Sequence, residues 1–216
     1  MNKTGLIISF AVMIIGVFIA YKMLDKPMPL KIYSPKDLNP ELVDEDQRDI
    51  YKNHRIRDFK LVNQDGVSVT DSFLKDKIYV ADFFFTTCPT ICPAMSNELE
   101  RVQEAFEGDL GIQIVSHTVQ PAYDSPEILK EYAALHKANL NQWTFLTGDK
   151  SEIYSLSRKS YFAVTTKGDG GIRDFIHTEN FVLVDKKKRI RGFYDGTSTD
   201  DVNRLIKDIK ILKDEV

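Results

Sequence analysis

Apolar residues are arranged in three different ways along the chain, and each arrangement predicts a different kind of structure. Gly5–Tyr21 is an unbroken stretch without a charged residue, and it approaches the roughly 20 apolar residues that cross a membrane. No small-residue cleavage pattern follows it. We therefore predict a transmembrane anchor over residues 5–24, after a short tail at residues 1–4, and not a cleaved signal peptide.

The second region is polar and rich in proline. Four of the eight prolines fall between Pro27 and Pro40, and an acidic run follows them. Charged segments with many prolines favour extended chain over packed structure. We therefore predict an extended tether over residues 25–55 and a compact domain over residues 56–216.

In the third region, apolar runs alternate with amphipathic stretches. The Asp65-Gly66 dipeptide predicts a β-hairpin, and the apolar run Lys77–Phe85 predicts a buried central strand. Strands and helices then alternate until a final hairpin and helix, which predicts a mainly parallel central sheet covered by helices. Two further features indicate an α/β, thioredoxin-like fold with a mixed sheet: the closing hairpin, and the two cysteines directly after the central strand.

Charge and cysteine content exclude several kinds of function. The chain has 29 lysines and arginines against 32 aspartates and glutamates, a net charge of -3. It therefore lacks the basic excess that holds a phosphate backbone, and we predict no nucleic-acid partner. Two cysteines are too few for a disulfide-rich scaffold or a four-thiolate zinc site.

The two cysteines, Cys88 and Cys92, lie where the predicted central strand gives way to a helix, in the sequence TTCPTICPAMS. A spacing of four residues places both side chains on one face of the first helical turn. The free N–H groups and the dipole of such a turn favour thiolates, so both sulfurs are expected to be anionic and near the surface. The pair suits reversible disulfide exchange or the binding of a soft metal ion. The structural alternative is two unrelated buried cysteines.

The segment DFFFTTCPTICPAMSNEL resembles the CxxxCP signature of the Sco/SenC family, thioredoxin-like copper-binding proteins of respiratory membranes. The resemblance continues in HRIRDFKLVNQDG, in Trp143 with LTGD and in DFIHTENFVLVD, and it covers the chain from Ile56 to the C-terminus. It implies copper as the cofactor, as Cu(I) or also as Cu(II), with Cys88, Cys92 and the distal His177 as ligands. Two thiolates and one imidazole form a soft, low-coordinate site that favours copper over magnesium, calcium or manganese.

Two functions agree with this resemblance, and both stay open. The first is a copper chaperone, not an enzyme, which receives copper from an upstream donor and delivers it to the binuclear copper site of cytochrome c oxidase. The second is an enzyme, a thiol–disulfide oxidoreductase that draws on a thiol reductant and reduces the copper-site cysteines of the oxidase. Its redox-active pair would be Cys88 and Cys92, with Cys88 as the attacking thiol. His177 favours the chaperone, because thiol exchange needs no histidine there.

Both functions belong outside the cytoplasm, where a disulfide persists. We therefore predict a single-pass protein of the inner membrane whose domain faces the periplasm, or the intermembrane space in a eukaryote. The charge count disagrees, since four lysines follow the anchor and favour a cytoplasmic domain: Lys22, Lys26, Lys31 and Lys36.

Four other titratable residues have structural explanations beside chemical ones. His117 is expected in the core or at a sheet edge, His136 in packing or on the surface, and His54 in solvent. Asp82 lies six residues before Cys88 in an otherwise apolar strand. It is either a buried carboxylate with a raised pKa that assists proton transfer to the resolving thiol, as in thioredoxins, or a carboxylate paired with a lysine or placed at a sheet edge.

The chain departs from the family pattern in two places. Many members carry DPxRD after the second strand of the core, where this chain has QPAYD over Gln120–Asp124. Many also carry an acidic residue directly before the ligand histidine, where this chain has Phe175-Ile176. The first difference predicts an altered surface for partner docking.

Overall fold

The computed structural model describes residues 3–24, 28–38, 54–164, 176 and 178–215. Short 3₁₀ turns cover Pro35–Asp37 and Asp71–Leu74, and a π-helical turn at Leu156–Ser160 continues α4. The helices and strands, in chain order, are α1 (Lys3–Leu24), β1 (Lys60–Asn63), β2 (Ser68–Thr70), β3 (Ile78–Phe84), α2 (Ile91–Ala105), β4 (Ile112–Thr118), α3 (Pro126–Leu135), β5 (Trp143–Thr147), α4 (Lys150–Ser155), β6 (Asn180–Val184), β7 (Ile190–Asp195) and α5 (Thr199–Asp214).

The strands that the structure describes form one sheet in the order β2-β1-β5-β4-β3-β6-β7. Strands β3, β4 and β5 are parallel neighbours, whereas β1 and β6 pair with them in antiparallel sense. The predicted mixed sheet is confirmed. The expectation of a mainly parallel sheet is wrong, because the β1–β2 and β6–β7 hairpins add antiparallel strands on both sides. Gly66, at φ 73° in the first hairpin turn, bears out the Asp-Gly signal.

The side chains of β3 alternate between two apolar layers on opposite faces of the sheet. Val80 and Phe84 pack with α2, α3 and α5, while Ala81 and Phe83 pack in the layer that contains α4. All residues of β3 are buried, as its continuous apolar run predicts. Cys88 and the first turn of α2 belong to the former layer, so the site lies on the face covered by α2, α3 and α5.

Part of the segment predicted as an extended tether over residues 25–55 contacts the domain. Within residues 28–38, the buried guanidinium of Arg191 in β7 donates to the backbone oxygens of Leu30 (2.7 Å) and Lys31 (3.2 Å). This part of the segment is therefore packed against the last strand. No local pattern reveals the contact, because its two partners are 161 positions apart in the sequence.

Helix α1 covers the apolar stretch predicted as an anchor. In the part of the chain that the structure describes, no helix is both long enough and apolar enough to cross a membrane. The helical conformation of this stretch is confirmed, whereas its role as a membrane anchor remains a prediction.

Candidate functional site

Cys88 and Cys92 lie at the junction of a central strand and a helix, as the sequence predicts. β3 ends at Phe84, and the Cys88 N–H then donates to the Phe85 carbonyl oxygen (3.2 Å), which closes a turn. α2 begins at Ile91, so Cys92 falls in its first turn. Both cysteines are free thiols.

The two sulfurs are covered, although the sequence interpretation expected them near the surface. Cys88 is 6% exposed and Cys92 is 3% exposed. The residues on either side of Cys88, Thr87 and Pro89, are exposed. Cys88 therefore sits in a turn at the protein surface, with its sulfur covered and its two neighbours facing solvent.

The first helical turn favours the thiolate of Cys88. The backbone N–H of Cys92 donates to the Cys88 Sγ at 3.5 Å, and the Thr90 hydroxyl lies 3.9 Å from the same sulfur. Burial by itself raises the pKa of the Cys88 thiol, but the backbone N–H groups of Cys92 and Thr90 outweigh it and lower that pKa from its ordinary value of 9.0. Of the two thiols, Cys88 is therefore the one whose local surroundings favour the thiolate.

Cys92 behaves in the opposite way. Burial, the largest cause, raises the pKa of its thiol to about 12, and the negative charges of Cys88 and Asp82 act in the same direction. The expectation that both sulfurs are anionic is therefore wrong, because the second cysteine lies deeper, beside two other acidic groups. The pair therefore consists of one thiol whose pKa is lowered, Cys88, and one whose pKa is raised, Cys92.

Asp82 is a buried carboxyl in the centre of the sheet, on the face that holds the cysteines. It is 2% exposed and accepts a hydrogen bond from the Ser116 hydroxyl, which in turn accepts one from Trp143 Nε1 (2.8 Å). Burial raises the pKa of Asp82 to about 7. The buried alternative of the sequence analysis is thus the observed one, and the carboxyl acts electrostatically on Cys92.

Tyr132 on α3 and Ser96 on α2 complete the surroundings of the pair, and sequence reasoning assigned neither of them to the site. The two hydroxyl groups are hydrogen bonded at 2.8 Å and are buried. Burial raises the pKa of Tyr132 strongly, and the charges of Cys92 and Asp82 add to the effect. Ser96 follows Cys92 by four residues, which places it on the same helix face. That spacing is the signal that could have revealed it.

Comparison with known proteins identifies the family. The sequence model of SCO1/SenC matches residues 47–213. The chain belongs to the SCO1/SenC family. The SCO1 protein homolog of Bacillus subtilis is 34% identical over 160 residues, which are 73% of this chain and 82% of that protein.

Solved structures of SCO proteins share the fold. BsSco, in which a disulfide switch has been identified, belongs to the Sco family of cytochrome c oxidase assembly proteins. It is 34% identical, with a TM-score of 0.62 over 73% of this chain and 92% of its own. Bradyrhizobium japonicum ScoI, solved with copper bound, is 27% identical, with a TM-score of 0.58 over 74% of this chain and 99% of its own. The predicted α/β, thioredoxin-like fold with flanking helices is therefore confirmed.

The histidines of this SCO1/SenC protein fall into different settings. His117 is buried and stacks on Phe83 at 4.9 Å between ring centroids, on the sheet face away from the cysteines. Burial lowers its pKa to about 4, so the core interpretation is confirmed. His136, directly after α3, pairs through Nδ1 with Glu100 of α2 at 2.8 Å.

His54 differs from its expected exposure to solvent. Its Nε2 donates to the Ser160 carbonyl oxygen at 2.7 Å, and its ring packs against Phe162. Burial lowers its pKa. His177, the predicted third ligand, lies outside the described residues. Among those described, no three histidine, cysteine, aspartate or glutamate side chains are grouped as a metal would require.

Proposed function

We propose that this SCO1/SenC protein is a copper chaperone that holds copper with Cys88, Cys92 and His177 and delivers it to the binuclear copper site of cytochrome c oxidase. The observation that carries the proposal is the pair of free thiols four residues apart at the start of α2, in which the Cys88 sulfur accepts a hydrogen bond from the Cys92 N–H. Thiolates are soft ligands that select Cu(I), and a site with only two or three such donors suits copper better than zinc, which takes a fourth ligand. Copper is the cargo of this site, as Cu(I) or Cu(II).

The register of the sheet supports His177 as the third ligand. β6 runs antiparallel to β3 with Val182 opposite Ala81, so β6 begins at the end of the sheet where β3 leads into the Cys88 turn. Thr178, the neighbour of position 177, is buried and donates to the Ala163 carbonyl oxygen at 2.5 Å. The chain directly after His177 is therefore held two residues before β6, at the same end of the sheet as the thiols.

The test is a Cu(I) competition titration of the reduced, full-length chain and its His177→Ala variant. We expect the variant to lose about 10- to 100-fold or more in affinity, since even groups behind a ligand contribute that much. His136→Asn is the matched control, because it keeps a donor for Glu100 and lies outside the proposed ligand set. Equal affinities for His177→Ala and the unaltered chain would remove His177 from the site.

A second function, thiol–disulfide exchange with the same client, is favoured by the contrast between the two thiols. The Cys88 thiolate would attack a disulfide of the client, and one client sulfur would leave and take up a proton. Cys92 would then lose its proton and attack the Cys88 sulfur, so that the client is released as a dithiol and Cys88–Cys92 becomes the disulfide. Asp82, with a pKa raised to about 7, is a group that could receive the proton of Cys92.

We further propose that residues 5–24 hold the protein at the inner membrane, with the domain in the periplasm or the intermembrane space. The apolar side chains described along α1 are more than half exposed, which suits contact with lipid: Phe10, Val12, Met13, Ile14, Ile15, Val17 and Phe18. A C-terminal reporter fusion that is active only in the cytoplasm would refute this orientation.

A further inference from the structure

The turn that carries Cys88 is fastened to the loop after β4 by a buried carboxyl group. Asp124 is 0% exposed, and both of its oxygens accept hydrogen bonds. The Thr86 hydroxyl donates to Oδ1 at 2.5 Å, and the Thr86 N–H donates to Oδ2 at 3.3 Å. The hydroxyl of Thr118, the last residue of β4, also donates to Oδ2.

A second contact joins the same two segments. The Thr87 hydroxyl donates to Gln120 Oε1 at 3.0 Å, and the Gln120 N–H donates to the Thr118 hydroxyl at 3.0 Å. Thr86 and Thr87 are the two central residues of the turn that the Cys88 N–H closes onto Phe85. Both central residues are therefore bonded to the segment Gln120–Asp124, where the sequence departs from the family pattern.

The chemistry of these contacts suits a carboxyl group and not an amide. Three donors converge on the two oxygens of Asp124, and an ionised carboxylate accepts on both oxygens. In an asparagine, one oxygen would become an NH2 group facing a donor, and a buried donor would lose its partner. In the part of the chain that the structure describes, no lysine or arginine forms an ion pair with Asp124. The buried Asp124 carboxyl therefore accepts hydrogen bonds from Thr86 and Thr118 in place of an ion pair.

We propose that Asp124 is a positioning residue that fixes the Cys88 turn in the geometry its sulfur needs. Asp124 acts through Thr86, two residues before Cys88, and does not touch the sulfur itself. The proposal rests on the proposed function in that Cys88 is the sulfur that binds copper or attacks a disulfide. It goes beyond that function by assigning the geometry of the sulfur to a residue 36 positions away in the sequence.

The test compares Asp124→Asn, Thr86→Val and Thr86→Ser in the full-length chain. The first readout is the equilibrium of the Cys88–Cys92 disulfide with dithiothreitol. The contacts are observed with both thiols reduced, so their loss should disfavour the reduced form. We expect Asp124→Asn and Thr86→Val to shift the equilibrium about tenfold toward the disulfide, a change of roughly 30 mV. Thr86→Ser keeps the hydroxyl and should stay within about twofold of the unaltered chain.

The matched control is Asp185→Asn, which alters another buried carboxyl. Asp185 follows β6 at the opposite end of the sheet from Cys88 and should lower stability without moving the equilibrium. An equilibrium unchanged in both Asp124→Asn and Thr86→Val would overturn the proposal, and so would an equal shift in Asp185→Asn. If Asp124→Asn does not fold, Thr86→Val carries the test alone.

Cu(I) affinity is the second readout and separates this proposal from the proposed function. We expect Asp124→Asn and Thr86→Val to bind Cu(I) about tenfold more weakly, because a loosened turn must be ordered when its ligand is immobilised. If the unaltered chain fails to bind Cu(I) tightly while the disulfide equilibrium still shifts in both variants, the copper function fails and the positioning role stands.

Discussion

Iodoacetamide at pH 7 is expected to alkylate Cys88 at least about thirty times faster than Cys92. The pKa of Cys88 is lowered from 9.0, and that of Cys92 is raised to about 12. At pH 7 these values give Cys88 at least about a thousandfold larger thiolate fraction. A thiolate with a lower pKa is also a weaker nucleophile, and this reduces the rate advantage of Cys88 by a factor of roughly twenty to thirty. Peptide mass spectrometry of the briefly treated, reduced chain measures both rates.

The unfolded chain is the control for this experiment. In concentrated urea both cysteines lose their surroundings, so their alkylation rates should agree within about threefold. Equal rates in the folded chain would contradict the electrostatic contrast between the two thiols. Faster alkylation of Cys92 would reverse the assignment of the attacking thiol.

Replacement of Asp82 with asparagine is expected to stabilise the folded protein, and more so as the pH rises. The carboxyl has a pKa of about 7 in the folded state and about 3.9 when unfolded. Because the pKa is raised in the folded state, the neutral carboxyl contributes its full stability below about pH 4. That contribution to the free energy of unfolding is lost as the pH rises through 7. At pH 8 the buried charge costs at most about 4 kcal/mol, a cost that Asp82→Asn avoids while it keeps an acceptor for Ser116.

Urea denaturation at pH 5 and pH 8, followed by the fluorescence of Trp143, measures this effect. The free energy of unfolding of Asp82→Asn should exceed that of the unaltered chain by about 2 to 3 kcal/mol more at pH 8 than at pH 5. Asp185→Asn is the control, and it should change the free energy of unfolding in the opposite direction. Although burial raises the pKa of Asp185, its bonds with Arg189 lower it overall, so this variant should be less stable than the unaltered chain at pH 8. A pH-independent difference for Asp82→Asn would show that the carboxyl is not buried in its neutral form.

Local sequence patterns predict the parts of this fold and site that depend on neighbouring residues. The apolar run of β3, interrupted only by Asp82, predicts a strand buried on both faces, and the cysteines that follow it fall at a helix N-terminus. The single aspartate in that run is compatible with a buried carboxyl or with one that is paired or at a sheet edge, and the structure shows the buried alternative for Asp82. In each case the deciding interaction is the local geometry of one strand or one helical turn.

The features that the sequence does not predict depend on residues that are distant in the chain. The raised pKa of Cys92 arises from depth of burial and from the charge of Asp82 on a neighbouring element. The contact of Arg191 with Leu30 spans 161 positions, and that of Asp124 with Thr86 spans 38. No periodic sequence pattern predicts either contact, because each depends on how the sheet brings distant segments together.

Transfer of copper to the client tests the central claim most directly. The full-length chain, loaded with Cu(I), is mixed with the reduced, copper-free copper-binding subunit of cytochrome c oxidase, and the two proteins are then separated for copper and thiol analysis. We expect about one copper per chain to move to the subunit, with Cys88 and Cys92 recovered as free thiols. The contradicting result is copper retained on this chain, combined with reduction of a disulfide-containing subunit by the copper-free chain and formation of the Cys88–Cys92 disulfide.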